Sequence, residues 1–119
     1  MMLKLKKLKD QVVVITGASS GIGLATARMA ARRGARIVLN SRDATDLKQA
    51  AEQIRSEGGH AIDVVGDVSD FRAMQQLAST AIAEFGGFDT WINNAGISIY
   101  GRIEVVTLED ARRLFETNY

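Results

Sequence analysis

The chain has 119 residues, of which 46% are hydrophobic and 24% charged, and its formal net charge is +1. This composition is typical of one small globular domain, long enough for a core but short for an open sheet covered by helices on both faces. The sequence has no cysteine and one histidine, which excludes disulfides and a histidine-rich metal site and favours a metal-free cytoplasmic protein. No apolar run approaches the roughly 18 residues of a membrane span, so stable membrane insertion is not expected.

Charge is distributed unevenly along the chain. Residues 1–42 contain nine Lys or Arg and one acidic residue, whereas residues 43–119 contain six Lys or Arg and thirteen acidic residues. The positive part could steer a phosphate-bearing ligand, although two ordinary solvated segments are the simpler explanation. Nucleic-acid binding is not predicted, because the basic residues are not interleaved with aromatics along one element. Residues 1–10 form a basic stretch without the apolar core of a secretory signal, and we expect a solvated lead-in.

A glycine-rich turn follows the first predicted strand. The apolar run Val12–Ile15 leads into residues 16–23, whose glycines have the spacing G-x-x-x-G-x-G, and a helix of small residues follows. Glycine lets the backbone turn tightly and approach a ligand, and the free N–H groups of a helix's first turn favour an anion such as pyrophosphate. No lysine follows Gly23, which argues against an NTPase phosphate loop. A turn used only for tight packing is the alternative.

Strands and helices alternate along the rest of the chain. The apolar runs predict strands at about 11–16, 37–39, 61–65 and 90–93. Helices are predicted at about 21–33 and 44–57, then from an N-cap at Ser69 to residue 85, and a last one is capped by Thr107 with Asp110. The alternation requires crossover connections and therefore predicts an α/β fold with a mostly parallel sheet.

The apolar spacing within each helix predicts the side that faces the core. On the first helix this side contains Ile22, Thr26, Met29 and Ala30. On the second it contains Leu47, Ala50, Ala51 and Ile54. On the third it contains Met74, Leu77, Ala78, Ala81, Ile82 and Phe85. Trp91, in the fourth strand, is expected in the core.

Ligands of parallel sheets bind at the carboxyl ends of the strands. Four turns are predicted at this edge, namely the glycine turn, residues 40–42, Asp67–Val68 and residues 93–96. They resemble the corresponding turns of the short-chain dehydrogenase/reductase family, and the resemblance extends from Lys9 to Tyr119. The family's Thr-Gly-x-x-x-Gly-x-Gly is matched at residues 16–23, its Asp-Val pair at 67–68 and its Asn-Asn-Ala-Gly at 93–96.

The resemblance implies a Rossmann-type doubly wound parallel sheet. Residues 11–119 would form an incomplete NAD(P)-binding domain with the first four β-α units, truncated before the catalytic strands. The glycine turn would bind the cofactor pyrophosphate through backbone N–H groups and the helix dipole, while the serines would donate to phosphate or ribose oxygens. The residues concerned are Gly17, Ser19, Ser20, Gly21, Ile22 and Gly23.

The resemblance also assigns the two ends of the cofactor. Asp67 would accept a hydrogen bond from the adenine amino group, and the backbone of Val68 would contact the same ring. The nicotinamide-side ribose would be lined by Asn93, Ala95 and Gly96, where small residues permit close backbone approach. The alternative for Asn93 and its neighbour Asn94 is that they only tie strand ends together.

The end of the second strand bears on cofactor choice. An NAD-preferring site has an acidic residue there for the ribose 2′-OH, and that carboxylate would repel a 2′-phosphate. In this sequence Ser41 and Arg42 occupy the position, and a guanidinium suits a phosphate. NADP is therefore expected in preference to NAD. A surface ion pair between Arg42 and Asp43 is the alternative.

Catalysis in the family is hydride transfer between NADP(H) and a carbonyl or alcohol substrate, with the Tyr and Lys of Tyr-x-x-x-Lys and a Ser. The setting of Asn118 resembles that of the family's fourth catalytic residue, an Asn that holds a water of the proton relay. A helix Asn bonded to nearby backbone is the alternative. The sequence contains no Tyr-x-x-x-Lys.

Two hypotheses follow from this missing motif. In the first, the chain is the N-terminal part of an NAD(P)-dependent oxidoreductase, inactive alone and homo-oligomeric at full length. In the second, it is a short, non-catalytic dinucleotide-binding or interaction module. The first is favoured because four strands alone would leave an open edge prone to aggregation. The Asn-Asn-Ala-Gly turn disfavours another Rossmann-like binder, such as a methyltransferase.

Overall fold

The computed structural model describes residues 6–94 and, as backbone only, residues 104–107. These residues form one sheet with the strand order β3-β2-β1-β4-β5. Four of the strands are parallel, and the fifth is antiparallel to its neighbour. The strands are β1 (Val12–Ile15), β2 (Arg36–Ser41), β3 (His60–Val65), β4 (Thr90–Asn93) and β5 (Glu104–Thr107). The predicted parallel α/β sheet is confirmed.

Helices cover both faces of the sheet, as in a doubly wound fold. The connecting helices are α1 (Gly21–Arg32), α2 (Ala44–Ser56) and α3 (Phe71–Phe85). Alternate residues of β1 belong to two separate cores: Val13 and Ile15 pack with α1 and α2, whereas Val12 and Val14 pack with α3. Because successive side chains of a strand point to opposite faces, the continuous β-branched run of β1 is the expected pattern for a central strand.

The predicted buried side of α2 is confirmed, whereas on α1 only Ala30 of the four predicted residues is buried. All four predicted residues of α2 are buried. On α1, Ile22 and Met29 are each 54% exposed. Besides Ala30, the helix buries Gly23, Ala27 and Ala31, which are all small residues. At these buried positions the helix lies close to the sheet and carries only Gly or Ala, while Leu24 is partly buried against the same core. A pattern based on hydrophobicity misses this steric selection.

The start and one face of α3 also differ from the prediction. Asp70, not Ser69, is the N-cap, and its carboxylate accepts hydrogen bonds from the N–H groups of Arg72 and Ala73. Met74, Leu77 and Ala81 are buried as predicted, and Ala78 and Phe85 are partly buried against the same core. Ile82 was predicted to be buried, but it is 54% exposed. Trp91 is buried, as expected, and its ring packs edge-on against Phe88.

A fifth strand covers the edge that was expected to be open. Backbone of β5 pairs antiparallel with β4, from Asn93 opposite Glu104 to Thr90 opposite Thr107. The expectation of an unpaired fourth strand is therefore wrong. Thr107 is the last residue of β5, and the last predicted helix, which it was expected to cap with Asp110, lies outside the described residues.

The basic lead-in contacts the domain through two of its residues. Lys6 Nζ lies 2.8 Å from Asp89 Oδ1, and Leu8 packs partly buried against the core shared by α1 and α2. The division at residue 10 stays a prediction. None of the three described helices is long and apolar enough to cross a membrane.

Candidate functional site

The candidate site is a cleft at the carboxyl ends of β1, β2 and β3. Its volume is about 600 Å³, within the usual range of small-molecule sites. The chain leaves β1 toward β2 on one side, while β4 pairs on the other side, so the cleft adjoins the point where the strand order reverses. Its walls are formed by Gly17, Ser19, Ser20, Asn40, Ser41, Arg42, Asp43, Asp46, Gly66, Asp67, Val68 and Ser69.

The glycines of the first turn meet two different requirements. Gly17 and Gly21 have φ angles of 63° and 59°, in the left-handed region that favours glycine. Gly23 is required for space, because a Cβ there would lie 2.3 Å from the carbonyl oxygen of Gly17 and 2.6 Å from Asn94 Nδ2. The turn therefore brings bare backbone to the wall of the cleft.

The N-terminus of α1 differs from those of α2 and α3. The side chains of Asp43 and Asp70 accept hydrogen bonds from first-turn N–H groups of α2 and α3. Ser20, the N-cap of α1, makes no such side-chain bond, and the first turn of α1 has no acidic residue. The first N–H groups of a helix lack partners within it, and no described side chain caps those of α1. Within the described part of the chain, α1 therefore presents open donors and its positive dipole end beside the cleft.

Ser41 and Ser19 link the end of β2 to the glycine turn. The hydroxyl of Ser41 donates to Ser19 Oγ at 2.9 Å and accepts from the N–H of Asp43 at 3.1 Å. Ser41 is buried, whereas Ser19 lines the cleft and is partly exposed. The hydroxyl of Ser19 thus lies on the cleft wall in an orientation that Ser41 helps to fix.

Arg42 extends over the cleft from the end of β2. Its side chain is 79% exposed, and Nη1 lies 3.8 Å from Asp67 Oδ2. The carboxylate of Asp43 instead accepts from the N–H of Asp46 at 2.9 Å and caps α2. Among the described residues, the acidic partner of Arg42 is therefore Asp67, across the cleft, and not its sequence neighbour. At this distance and exposure the ion pair is weak, so the guanidinium is available to an anion.

Asp67 has one engaged oxygen and one directed toward Arg42. Oδ1 accepts from the N–H of Ser69 at 2.9 Å and from its hydroxyl at 2.8 Å. These two bonds, assisted by the positive charge of Arg42, hold the pKa of Asp67 below its ordinary value of 3.8 against the opposing effect of desolvation. The carboxylate is ionised at neutral pH, and Val68 follows it along the wall of the cleft.

The two asparagines at the end of β4 have different contacts. Asn93 Oδ1 accepts from Trp91 Nε1 at 2.9 Å. Asn94 ties β4 to the glycine turn, because its N–H donates to Thr16 Oγ1 at 3.0 Å and its Nδ2 donates to the carbonyl oxygen of Gly17 at 3.1 Å. The predicted site residues Ala95, Gly96 and Asn118 lie outside the described residues.

Asn40 and Thr16 lie in predicted turns of the site, but no role was predicted for either residue. Asn40 is 1% exposed and donates from Nδ2 to the carbonyl oxygens of Val64, at 3.0 Å, and Gly66, at 3.2 Å. Thr16 is fully buried, and its hydroxyl oxygen accepts a hydrogen bond from the N–H of Asn94. The available signal was a polar residue directly after a buried apolar run, at a strand end that faces the cleft. Within the described part of the chain, no three His, Asp or Glu side chains converge on a possible metal position.

Comparison with known proteins decides the family. The family model described as "short chain dehydrogenase" matches residues 11–119. The chain belongs to this family. A short-chain dehydrogenase relative, "Uncharacterized oxidoreductase YxnA" of Bacillus subtilis, is 53% identical over 98% of the chain, which spans 33% of that relative.

Solved structures of the family have the same fold. The structure of L-sorbose reductase from Gluconobacter frateurii with NADPH and L-sorbose matches 72% of the chain at 40% identity and a TM-score of 0.70, and the match covers 33% of that protein. A short-chain dehydrogenase/reductase from Burkholderia phymatum with NAD matches 71% at 35% identity and a TM-score of 0.69, over 30% of its own length. The chain thus spans about a third of these relatives, which include NADPH and NAD complexes.

Proposed function

We propose that this chain binds NADP(H) in the cleft and forms the cofactor-binding part of an oxidoreductase acting on a small carbonyl or alcohol substrate. The observation that supports this best is the uncapped N-terminus of α1 beside the exposed guanidinium of Arg42. The bound cofactor would supply the hydride. The residues of this chain would bind and orient it.

The open donors of α1 fit the pyrophosphate of a dinucleotide. Backbone N–H groups of the turn from Gly17 to Gly23, together with the helix dipole, would bind the phosphate oxygens, as at other helix N-termini. The hydroxyl of Ser20 is not used as a helix cap, so it can donate to a phosphate or ribose oxygen. Ser19 adds a second hydroxyl on the same wall.

The opposite part of the cleft suits the adenosine. Asp67 has an ionised carboxylate that would accept from the adenine amino group, and the backbone of Val68 would contact the ring. Asn93, Ala95 and Gly96 would line the nicotinamide-side ribose, and Asn118 would assist the proton relay, by family resemblance. These assignments stay predictions. They are consistent with Asp67 and Val68 forming one wall of the cleft that Ser19 and Ser20 line.

Charge at the end of β2 supports NADP over NAD. Ser41 and Arg42 stand where an acidic residue would select the free ribose hydroxyls of NAD. The guanidinium of Arg42 is not engaged by Asp43, which removes the simplest objection to its role as a 2′-phosphate ligand. Ser41 would orient Ser19 toward the same phosphate or ribose through their hydroxyl–hydroxyl bond. We propose NADP as the preferred cofactor.

The wider assignments rest on the family and on composition. We propose a cytoplasmic location and a homo-oligomeric full-length protein, with neither nucleic acid nor membrane as a partner. A non-catalytic dinucleotide-binding module is the second candidate, because the 119 residues contain no Tyr-x-x-x-Lys.

Titration of the chain with NADPH and with NADH tests the proposal. Arg42→Ala should weaken NADPH binding about tenfold, which corresponds to the loss of one charge-assisted hydrogen bond, and leave NADH binding nearly unchanged. Lys48→Ala, on the solvent side of α2 and absent from the cleft walls, is a matched charge control. Equal effects of Arg42→Ala on both nucleotides would contradict the proposed role of Arg42.

A further inference from the structure

We infer that Asn40 is a positioning residue of the cleft, which sets the spacing of the three turns that follow β1, β2 and β3. The inference rests on the proposed function, because these turns would bind three parts of one nucleotide. Asn40 borders the cleft but is only 1% exposed, so it would act through the turns and not through contact with the nucleotide.

Asn40 is bonded to the turns on both sides of β2. Its backbone carbonyl oxygen accepts a hydrogen bond from the N–H of Ala18, in the glycine turn, at 2.9 Å. On the other side, its Nδ2 donates to the carbonyl oxygens of Val64 and Gly66 at 3.0 and 3.2 Å. One residue thus joins the end of β2 to the glycine turn and to the end of β3.

The two amide bonds fix the path by which the chain leaves β3. Val64 and Gly66 lie on either side of the last residue of β3, and Asp67 follows directly. Gly66 also packs closely against α3, because a Cβ there would lie 3.0 Å from Ala73 Cβ and 3.5 Å from Asn40 Nδ2. The backbone before Asp67 is therefore fixed by the amide of Asn40 and lies close to α3.

Burial of an amide at this position carries a desolvation cost, which points to a specific role. Asn40 Oδ1 is buried and has no hydrogen-bond partner among the described residues. An apolar residue would avoid that desolvation cost, and an aspartate would place a carboxylate against two carbonyl oxygens. Only the two N–H bonds of the side chain explain the amide, and both are directed to the backbone that precedes Asp67.

A rigid ligand that contacts all three turns should be sensitive to their spacing. Loss of the Asn40 amide would displace the turn at Asp67 relative to the glycine turn without removing any nucleotide ligand. NADPH and NADH share the adenine and pyrophosphate, so both should lose affinity by the same factor. This pattern differs from that of Arg42→Ala, which should change the ratio of the two dissociation constants.

The test measures dissociation constants of NADPH and NADH for Asn40→Ala, with the free energy of unfolding from urea denaturation. Asn40→Ala should raise both dissociation constants about tenfold, equivalent to a lost hydrogen bond, with their ratio unchanged. Ile37→Val is the matched control: it removes a buried methyl group from the same strand and none of the described side-chain bonds to the turns. Ile37→Val should leave both dissociation constants within about twofold of the wild-type values, because it affects stability alone.

The outcomes separate this inference from the proposed function. If the wild type binds the nucleotides and Asn40→Ala has the same dissociation constants, the positioning role alone is overturned. The same holds if Ile37→Val loses as much affinity as Asn40→Ala. A wild-type chain that binds neither nucleotide would overturn the proposed function and this inference with it. If Asn40→Ala does not fold, Gly66→Ala disturbs the same backbone, because a Cβ there would lie 3.0 Å from Ala73 Cβ. Gly66→Ala should raise both constants by one factor, and unchanged constants would refute the inference.

Discussion

Asn94 donates a hydrogen bond from Nδ2 to the carbonyl oxygen of Gly17, 3.1 Å away and 77 residues earlier in the chain. This bond attaches the end of β4 to the glycine turn after β1. The first turn of α1 packs against the same two groups, because Gly23 has no Cβ to separate them. The shape of the cleft therefore depends on three segments that meet at the side-chain amide of Asn94 and the backbone of Gly17 and Gly23.

Gly23→Ala should destabilise the chain more than Gly21→Ala. At Gly23 a Cβ would lie 2.3 Å from a backbone oxygen that cannot move cheaply, and overpacking of this kind costs about 3 kcal/mol. At Gly21 a Cβ meets nothing within 4 Å, so only the left-handed φ of 59° is penalised, at about 1 kcal/mol. Urea denaturation of both variants measures the difference. Equal or reversed losses would refute the steric account of Gly23.

Substitution of the N-cap residues of α3 and α1 should have different effects: one should lower stability and the other nucleotide affinity. Asp70→Ala removes the side chain that accepts from two N–H groups of α3 and should cost about 1 kcal/mol, with little effect on the affinity for NADPH. Ser20→Ala removes no side-chain cap bond, so stability should be nearly unchanged while NADPH binds more weakly. Thermal denaturation and NADPH titration of the two variants test this contrast. A destabilised Ser20→Ala with unaltered NADPH affinity would show that its hydroxyl is structural.

Asp89 should make stability depend on pH. Burial raises the pKa of Asp89, but hydrogen bonds from Lys6 and the N–H of Val12, with the charges of Lys6 and Arg36, outweigh burial and lower it below 3.8. A lowered pKa in the folded state stabilises the fold above about pH 3.8, and this contribution disappears as the pH falls through the folded-state value.

Asp89→Asn is the variant that tests this contribution. At pH 7 it should be about 2 kcal/mol less stable than the wild type, the typical contribution of hydrogen bonds to a charged group. The difference should narrow as the pH falls below 3.8. Urea denaturation over this pH range measures it, and a difference that does not vary with pH would contradict the assignment.

Much of this architecture was predictable because its signals are local. The β-branched run of β1 and the apolar spacing of α2 predict their burial, and the parallel order brings the predicted turns to one edge. The exposure of Ile22, Met29 and Ile82 was not predicted, because a hydrophobicity pattern does not indicate how closely each helix approaches the sheet. The role of Asn40 was also missed, since it depends on carbonyl oxygens more than 20 residues away.

The 119-residue chain should show no turnover of NADPH with carbonyl substrates. The family's general acid is the Tyr of Tyr-x-x-x-Lys, and this sequence has no such motif. Bound NADPH would then have no positioned proton donor for the developing alkoxide. Absorbance at the NADPH band, followed with a panel of small aldehydes and ketones, measures turnover. Oxidation that depends on the amount of chain added would refute this prediction.

The most direct measurement is the pair of dissociation constants of the wild-type chain for NADPH and NADH, determined side by side by calorimetry. The open N-terminus of α1 should bind the pyrophosphate of both, and Arg42, which is not engaged by Asp43, should favour the 2′-phosphate. We expect NADPH to bind about tenfold more tightly, the usual contribution of one charge-assisted hydrogen bond. Tighter binding of NADH, or binding of neither nucleotide, would contradict the account.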